Sequence, residues 1–341
     1  MSALIPNRAF NLTLEILQGC KYQCTGCMVD KDFDPGPFNK DRRDLLALVD
    51  DMQQDGYRLR EFTIGPVDVI ASKAGVDILD HALVQGLAER FDSVVLPLAL
   101  LSDDGLDVLC KKINALMKGK SFTLATPFPL KSIDNPKHQD LIRRRVKYVI
   151  EHLPDVKFEL LYLTVNMTGD SIEQFSVETN QRIHELDFGA RRLVEYVFPH
   201  VRKGFEDLMN RQAFLRAFSQ FCDVIQACKD TPYNRHLIKP RADSLEATYR
   251  QGKLYYTPTL IEKFPIFARD FELPKPWVSM NLEQFEEELY FDQLVRQSHS
   301  PECGGCLHLD RCARGDIHAV MHHLNHEQCL VSMKNKWDVL T

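Results

Sequence analysis

Hydrophobic and polar positions follow two alternating periods along residues 10–205. Short apolar runs typical of buried strands are separated by stretches in which apolar residues recur every three to four positions, as on one face of a helix. The predicted strands are residues 12–17, 61–64, 93–100, 121–125, 158–165 and 192–198. The predicted helices are residues 41–54, 76–90, 105–117, 138–152 and 171–186.

This alternation predicts an α/β fold made of parallel β-α units with right-handed crossovers. Its strands fit a partial (β/α)6 TIM-like barrel as well as an open doubly wound sheet. In both architectures, the loops at the carboxyl ends of the strands carry the functional site. We therefore look for chemistry directly after each predicted strand.

The pattern changes after residue 205. Residues 206–241 are predicted to be a helical linker, since residues 205–227 are apolar at helical spacing. Residues 247–256 have two β-rich arms around Gln251 and Gly252, which predicts a hairpin. A Pro-rich stretch, a predicted helix over 282–297 and a cysteine-rich tail follow. We expect a barrel over 1–205, the linker, and a small domain over 242–341.

Composition excludes several classes of protein. The chain has 341 residues, 44% hydrophobic and 26% charged, as in soluble globular enzymes. A net charge of −6 argues against a nucleic-acid partner. No apolar run approaches the roughly 20 residues that span a bilayer, and no signal peptide is recognised. We expect a cytoplasmic protein, in which ten cysteines serve as metal ligands and free thiols rather than disulfides.

The most specific motif follows the first predicted strand. Cys20, Cys24 and Cys27 have the spacing C-x₃-C-x₂-C. Three thiolates can hold three irons of one [4Fe–4S] cluster, which leaves the fourth iron open to a small molecule. The alternative is a zinc knuckle with a distant fourth ligand.

The spacing of this motif and its place after the first strand resemble the cluster motif of the radical S-adenosylmethionine (SAM) enzymes. The resemblance implies a partial six-stranded barrel, and a cluster that binds the amino and carboxylate groups of SAM. It also implies reductive cleavage of SAM to methionine and a 5′-deoxyadenosyl radical, which takes a hydrogen atom from the substrate. An electron donor such as flavodoxin or ferredoxin would be a partner. Gly26 stands where the family often has an aromatic residue, so adenine must be shielded from elsewhere.

The resemblance also implies contacts to SAM, although each of these residues has an ordinary structural explanation as well. Backbone carbonyls at the turn after the second strand would accept from the SAM ammonium, and the acid usual there is absent or displaced to Asp68. Arg143 or Arg144 would pair with the SAM carboxylate. The expected cofactor-binding residues are Tyr22, Gly26, Ile64, Gly65, Pro66, Thr123, Thr126, Arg143, Thr164, Asn166 and Phe198.

The tail carries a second set of cysteines. Cys303, Cys306, Cys312 and Cys329 can form a closed tetrathiolate site, which suits either zinc or a [4Fe–4S] cluster. Together with the predicted hairpin, they resemble the SPASM extension of many radical SAM enzymes. That resemblance favours an auxiliary [4Fe–4S] cluster and hence two clusters in all.

Family precedent makes a peptide or protein the expected substrate, modified by crosslinking, dehydrogenation or epimerisation. No separate N-terminal peptide-recognition domain is visible, so a leader peptide would need another docking surface or a separate recognition protein. A small molecule, such as a sugar, an amino acid or an antibiotic intermediate, is the alternative substrate. A non-catalytic metal-binding scaffold is the alternative function. Cys222 and Cys228 are candidate catalytic thiols, although buried inert thiols are usual in such apolar stretches.

Overall fold

A computed structural model of the protein describes residues 9–22, 42–166, 173–197, 220–221, 223–224, 227–228, 231, 245–250, 253–255 and 284. Within this part of the chain, eight strands form one sheet. They are β1 (Ala9–Glu15), β2 (Arg58–Gly65), β3 (Ser93–Pro97), β4 (Ser121–Pro127), β5 (Lys157–Asn166), β6 (Arg192–Val197), β7 (Leu245–Arg250) and β8 (Lys253–Tyr255). The first six agree with the predicted strands to within three residues at each end.

Helices connect the parallel strands, as the alternation predicted. They are α1 (Arg42–Gln54), α2 (Ala82–Arg90), α3 (Leu106–Leu116), α4 (Pro136–Glu151) and α5 (Val177–Glu185), with 3₁₀ turns at Gly75–Asp80 and Leu130–Asp134. The helix predicted over 76–90 is divided at His81, which has extended backbone and accepts the Leu83 N–H at Nδ1. No helix in the described ranges is long and apolar enough to cross a membrane.

The strand order is β6-β5-β4-β3-β2-β1-β7-β8. Every neighbouring pair from β6 to β7 is parallel, and only β7–β8 is antiparallel. The α/β fold with a partial-barrel sheet is therefore confirmed, as an open sheet with β6 and β8 at its edges in the described residues. The predicted hairpin also forms, with Thr248 opposite Tyr255.

One strand of that hairpin, β7, also pairs with a strand outside the hairpin. β7 pairs in parallel with β1, with Thr248 beside Thr13. It thus extends the sheet beyond the six strands predicted for residues 1–205. The boundaries predicted at 205 and 242, and most of the linker and tail, lie outside the described residues and stay predictions.

The two faces of the sheet differ in polarity because successive strand residues point to opposite sides. On one face, Phe10 and Phe62 lie with ring centroids 6.2 and 5.6 Å from that of Phe91, which ends α2. This face packs on the helices and is apolar. The strand pairing places polar side chains on the other face: Asn11, Thr13, Glu15, Glu61, Thr63, Ser93, Thr123 and Thr248.

Candidate functional site

The segment after β1 is attached to the end of β2. The Gly65 carbonyl accepts the N–H groups of Ile16 and Leu17, both at 3.0 Å. Further along, the Lys21 N–H donates to the Ala71 carbonyl at 3.0 Å, and the Lys73 N–H donates to the Gln18 carbonyl at 2.8 Å. We call residues 16–22 the cysteine loop and residues 66–73 the β2 loop. Four backbone hydrogen bonds hold the cysteine loop against Gly65 and the β2 loop.

Cys20 lies in the cysteine loop at the carboxyl end of β1, as predicted. It is half-buried and packs against the hydrophobic core. Tyr22 is half-buried too, and burial, followed by the Asp68 carboxylate, raises the pKa of its phenol. Cys24, Gly26 and Cys27 lie outside the described residues.

The turn predicted to meet the SAM ammonium consists of Ile64, Gly65 and Pro66, with a cis peptide between the last two. It lies directly beside the cysteine loop. The Gly65 carbonyl already accepts the N–H groups of Ile16 and Leu17. The carbonyls of Ile64 and Pro66 take no part in these two hydrogen bonds and are the ones to consider for the ammonium.

Asp68 is the main charged group of the β2 loop. Its side chain is buried, with the residue 8% exposed. Oδ1 accepts from the Ile70 N–H at 2.8 Å and the Ala71 N–H at 3.2 Å, and Oδ2 accepts from the Ala99 N–H at 2.7 Å. Burial raises the pKa of this carboxyl, and the three backbone hydrogen bonds oppose that shift. The Asp68 carboxylate therefore binds backbone N–H groups of two loops.

Thr123 and Thr126, both expected to bind the cofactor, do not share a face of the sheet. Thr123 is 1% exposed and lies in register with Val95 on the polar face, whereas Thr126 alternates to the helix-covered face. Among the described residues, the buried Thr126 Oγ1 has no hydrogen-bond partner. Thr164 is half-buried beside Pro127 in the β4–β5 pairing, and Asn166 pairs with Val197. Strand parity, read from the sequence, could have separated the first two.

Arg143 is held on the outside of α4. It pairs with Asp140, and its Nε donates to the Asp187 carbonyl at 2.8 Å. Arg144 is exposed. Phe198, another expected cofactor-binding residue, lies outside the described residues.

Arg145, which follows Arg143 and Arg144 in the sequence, was not singled out as a site residue. It is 6% exposed, its Nε donates to Asp103 Oδ1 at 2.6 Å, and its Nη1 donates to the Leu100 carbonyl. Helical spacing could have found it, because Arg145 shares the buried face of α4 with Ile142 and Val149.

Cys228, one of the two candidate catalytic thiols, is buried. It lies near Tyr196, whose pKa is raised by burial above all and by the Cys228 thiol as well. Tyr196 packs edge-on against Phe175 and Phe221. Cys222 lies outside the described residues, as do the four tail cysteines Cys303, Cys306, Cys312 and Cys329.

Comparison with known proteins relates the chain to solved structures by fold. No protein-family model and no curated protein matches it. Three structures of anSMEcpe, an anaerobic sulfatase-maturating enzyme of the radical SAM class, match over 97% of this chain and 96% of theirs. The native enzyme with AdoMet and the Cp18Cys peptide gives a TM-score of 0.57 at 12% identity. With AdoMet alone, the native enzyme gives 0.53 at 12%, and the histidine-tagged enzyme gives 0.55 at 11%.

At these identities the similarity concerns the fold. The chain has the fold of a radical SAM enzyme, as its first cysteine motif predicted, and the similarity extends over nearly the whole chain.

Proposed function

We propose that this protein is a radical SAM enzyme that acts on a peptide or protein side chain. One observation carries the proposal: the first cysteine of a C-x₃-C-x₂-C motif, Cys20, follows β1 at the carboxyl edge of a sheet whose fold is that of an enzyme solved with AdoMet. In α/β folds of this kind, ligands bind at that edge.

The residues fit a cluster with one open iron. Three cysteines supply three thiolates, one fewer than a closed four-thiolate site requires. Cys20 is half-buried rather than enclosed, and four backbone hydrogen bonds hold its loop. A loop that is held in place and supplies only three thiolates suits a cluster whose fourth iron must also bind a small molecule.

When bound, the reduced cluster would supply the one electron that cleaves the sulfonium of SAM to methionine and a 5′-deoxyadenosyl radical, and that radical would take a hydrogen atom from the substrate. The chain's own residues bind and orient these groups. Cys20, Cys24 and Cys27 hold the cluster. Carbonyls of the turn after β2 accept from the SAM ammonium, because a carbonyl needs no particular side chain for that contact. An electron donor such as flavodoxin or ferredoxin is the proposed partner.

The other proposed SAM contacts differ in their structural support. Thr123 is supported by its place on the polar face. Thr126 lies on the opposite, helix-covered face, and its buried hydroxyl has no partner among the described residues. Arg143 would have to break its ion pair with Asp140 before it could bind the SAM carboxylate. The remaining proposed contacts are Tyr22, Gly26, Thr164, Asn166 and Phe198.

The tail is proposed to hold a second, closed [4Fe–4S] cluster through Cys303, Cys306, Cys312 and Cys329, in a SPASM-like domain. Four thiolates complete its coordination, so this cluster would pass electrons or stabilise the fold rather than bind SAM. The peptide substrate is supported by the Cp18Cys peptide in the structurally similar enzyme.

The test compares the native chain with a variant that carries Cys→Ala at positions 20, 24 and 27. Each protein is reconstituted anaerobically with iron and sulfide, and iron per chain is counted. SAM and a strong reductant are then added, and 5′-deoxyadenosine is measured by mass spectrometry. We expect about eight irons per native chain and about four in the variant, with 5′-deoxyadenosine formed only by the native chain.

Cys110→Ala is the matched control, because Cys110 is a buried thiol on α3 and is not part of the motif. It should keep the iron content and the 5′-deoxyadenosine of the native chain. Zinc in the tail and no cleavage of SAM would overturn the proposal and favour a metal-binding scaffold. Deuterium transfer to 5′-deoxyadenosine from labelled sugars or amino acids, but not from labelled peptides, would move the substrate to the small-molecule class.

A further inference from the structure

We propose that Asp68 is a positioning residue for the first cluster: its carboxylate holds the β2 loop in the shape that fixes the cysteine loop, and thereby places Cys20. This inference rests on the proposed function, because it takes the cysteine loop to be a cluster site. Asp68 itself is proposed to touch neither the cluster nor SAM.

The first step is the shape of the β2 loop. Asp68 Oδ1 accepts from Ile70 and Ala71, which closes a turn of the kind that aspartate side chains form with the backbone two or three residues later. The Ala71 N–H also reaches the Asp68 carbonyl at 3.0 Å. Ser72 Oγ donates to the Val69 carbonyl at 3.0 Å and tightens the same turn.

The second step joins this turn to the cysteine loop. Ala71, whose N–H binds the Asp68 carboxylate, offers its carbonyl to the Lys21 N–H, next to Cys20. Two residues further on, the Lys73 N–H binds the Gln18 carbonyl. Of the two backbone bonds that flank Cys20, one therefore originates in the turn that Asp68 closes and the other originates two residues beyond that turn. If the turn relaxes, both bonds lose their geometry.

The third step anchors the turn to a third strand. Asp68 Oδ2 accepts the N–H of Ala99, beyond the end of β3. The next residue, Leu100, offers its carbonyl to Arg145 of α4, and Arg145 also binds Asp103. One carboxylate thus connects the loops after β1, β2 and β3, with α4 behind them.

A carboxylate suits this position better than an amide or a hydroxyl. All three neighbours are N–H donors, and they approach both oxygens. An ionised carboxylate accepts at both oxygens, whereas asparagine has one acceptor oxygen and one donor NH₂. Asparagine can keep the turn at Ile70 and Ala71, but it would then set its NH₂ against the Ala99 N–H. Alanine has no side-chain acceptor, so it loses both the hydrogen bonds to Ile70 and Ala71 and the hydrogen bond to Ala99.

The first test uses metal-free protein and does not depend on the cofactor. Amide hydrogen exchange is followed by mass spectrometry in the native chain, Asp68→Asn and Asp68→Ala. In Asp68→Ala, we expect exchange at Lys21, Lys73 and Ala99 to accelerate about tenfold or more, because each of these amides loses its bond or its geometry. In Asp68→Asn, acceleration should concentrate at Ala99.

The second test uses reconstituted protein. Iron per chain and the electron paramagnetic resonance spectrum of the reduced protein are measured before and after SAM is added. Asp68→Ala should lose iron of the first cluster, or keep it but lose the spectral change on SAM binding. Asp92→Asn is the matched control, because Asp92 is an exposed carboxylate that binds Arg58 at the start of β2. It should leave exchange, iron and spectrum unchanged.

Native exchange rates in Asp68→Ala would overturn the inference. Accelerated exchange with native iron content and a native response to SAM would also overturn it, since the turn would then have no bearing on the cluster. If Asp68→Ala does not fold, Asp68→Asn decides: it should show faster exchange at Ala99 and a weaker SAM response. If the native chain binds no cluster at all, the proposed function fails, and native exchange rates in the Asp68 variants would be a separate failure of the positioning role.

Discussion

At the scale of single residues, the Cys110 thiol shows how burial sets reactivity. It is 2% exposed on α3, and burial, with the nearby Asp107 carboxylate, raises its pKa from 9.0 to about 11. At pH 8 only about one Cys110 in a thousand is then a thiolate, the form that reacts with alkylating agents. Burial also blocks the reagent. We therefore expect Cys110 to resist iodoacetamide in the folded protein.

The measurement is the extent of alkylation at each cysteine of metal-free protein at pH 8, by peptide mass spectrometry. Half-buried Cys20 is the internal comparison and should react much faster. In denaturant, Cys110 should react like any free cysteine. Alkylation of Cys110 at the rate of Cys20 in the folded protein would contradict the expectation.

The arginine run on α4 shows what sequence could and could not give at this scale. Residue type alone favoured Arg143 as the carboxylate partner, but Arg143 already binds Asp140 and the Asp187 carbonyl. Helical spacing, which was available in the sequence, singles out Arg145 as buried. Its partners, Leu100 and Asp103, are more than 40 residues away, and no local pattern encodes such a contact.

At the scale of elements, Lys120 caps the C-terminal end of α2 through its side chain. Its ammonium donates to the carbonyls of Ala88, Glu89 and Phe91 at 2.6, 2.7 and 2.9 Å. The last carbonyls of a helix have no partners within it, and a cation there also favours the helix dipole. Lys120→Met keeps most of the aliphatic stem but removes the donor. We expect it to lower the free energy of unfolding by about 1–2 kcal/mol.

Urea denaturation followed by circular dichroism measures this change. Lys118→Met is the matched control, since Lys118 is exposed two residues earlier in the same connection, and it should shift the midpoint little. An unchanged midpoint for Lys120→Met would mean that water replaces the ammonium at these carbonyls without loss.

Elements defined by local pattern were largely predictable. Strand and helix periodicity located β1 to β6 and most helix positions, because burial on a known face imposes that periodicity. The division at His81 was missed, since apolar spacing continues across it. The parallel partner of β7 was also missed. Its pairing with β1 joins residues more than 200 positions apart, and only the antiparallel arm leaves a local turn signal.

At the scale of the whole molecule, the two faces of the sheet have different roles. The apolar face carries the core against the helices, while the other face carries polar side chains such as Asn11, Glu15 and Thr123. β1 is central to both roles, because it pairs with β2 and β7 and leads into Cys20. Stability of β1 and the placing of the cysteine loop are therefore coupled.

This coupling predicts that β7 stabilises the barrel sheet rather than an independent C-terminal domain. Thr248 is 2% exposed, beside Thr13 in β1 and opposite Tyr255 in β8. Thr248→Pro removes an N–H from the interior of the sheet, where proline is poorly tolerated because it cannot donate to the ladder. We expect a loss of about 2 kcal/mol or more in the free energy of unfolding.

The effect should spread to β2 through β5. Native-state hydrogen exchange of their slowest amides, which open only with the sheet, should accelerate about thirtyfold for such a loss. Val177→Pro is the control: Val177 is exposed at the first position of α5, where the helix itself offers no acceptor for the N–H and proline is accepted. Unchanged exchange in β2 to β5 of Thr248→Pro would instead mean that residues from 242 onward unfold on their own, as the domain boundary read from the sequence implies.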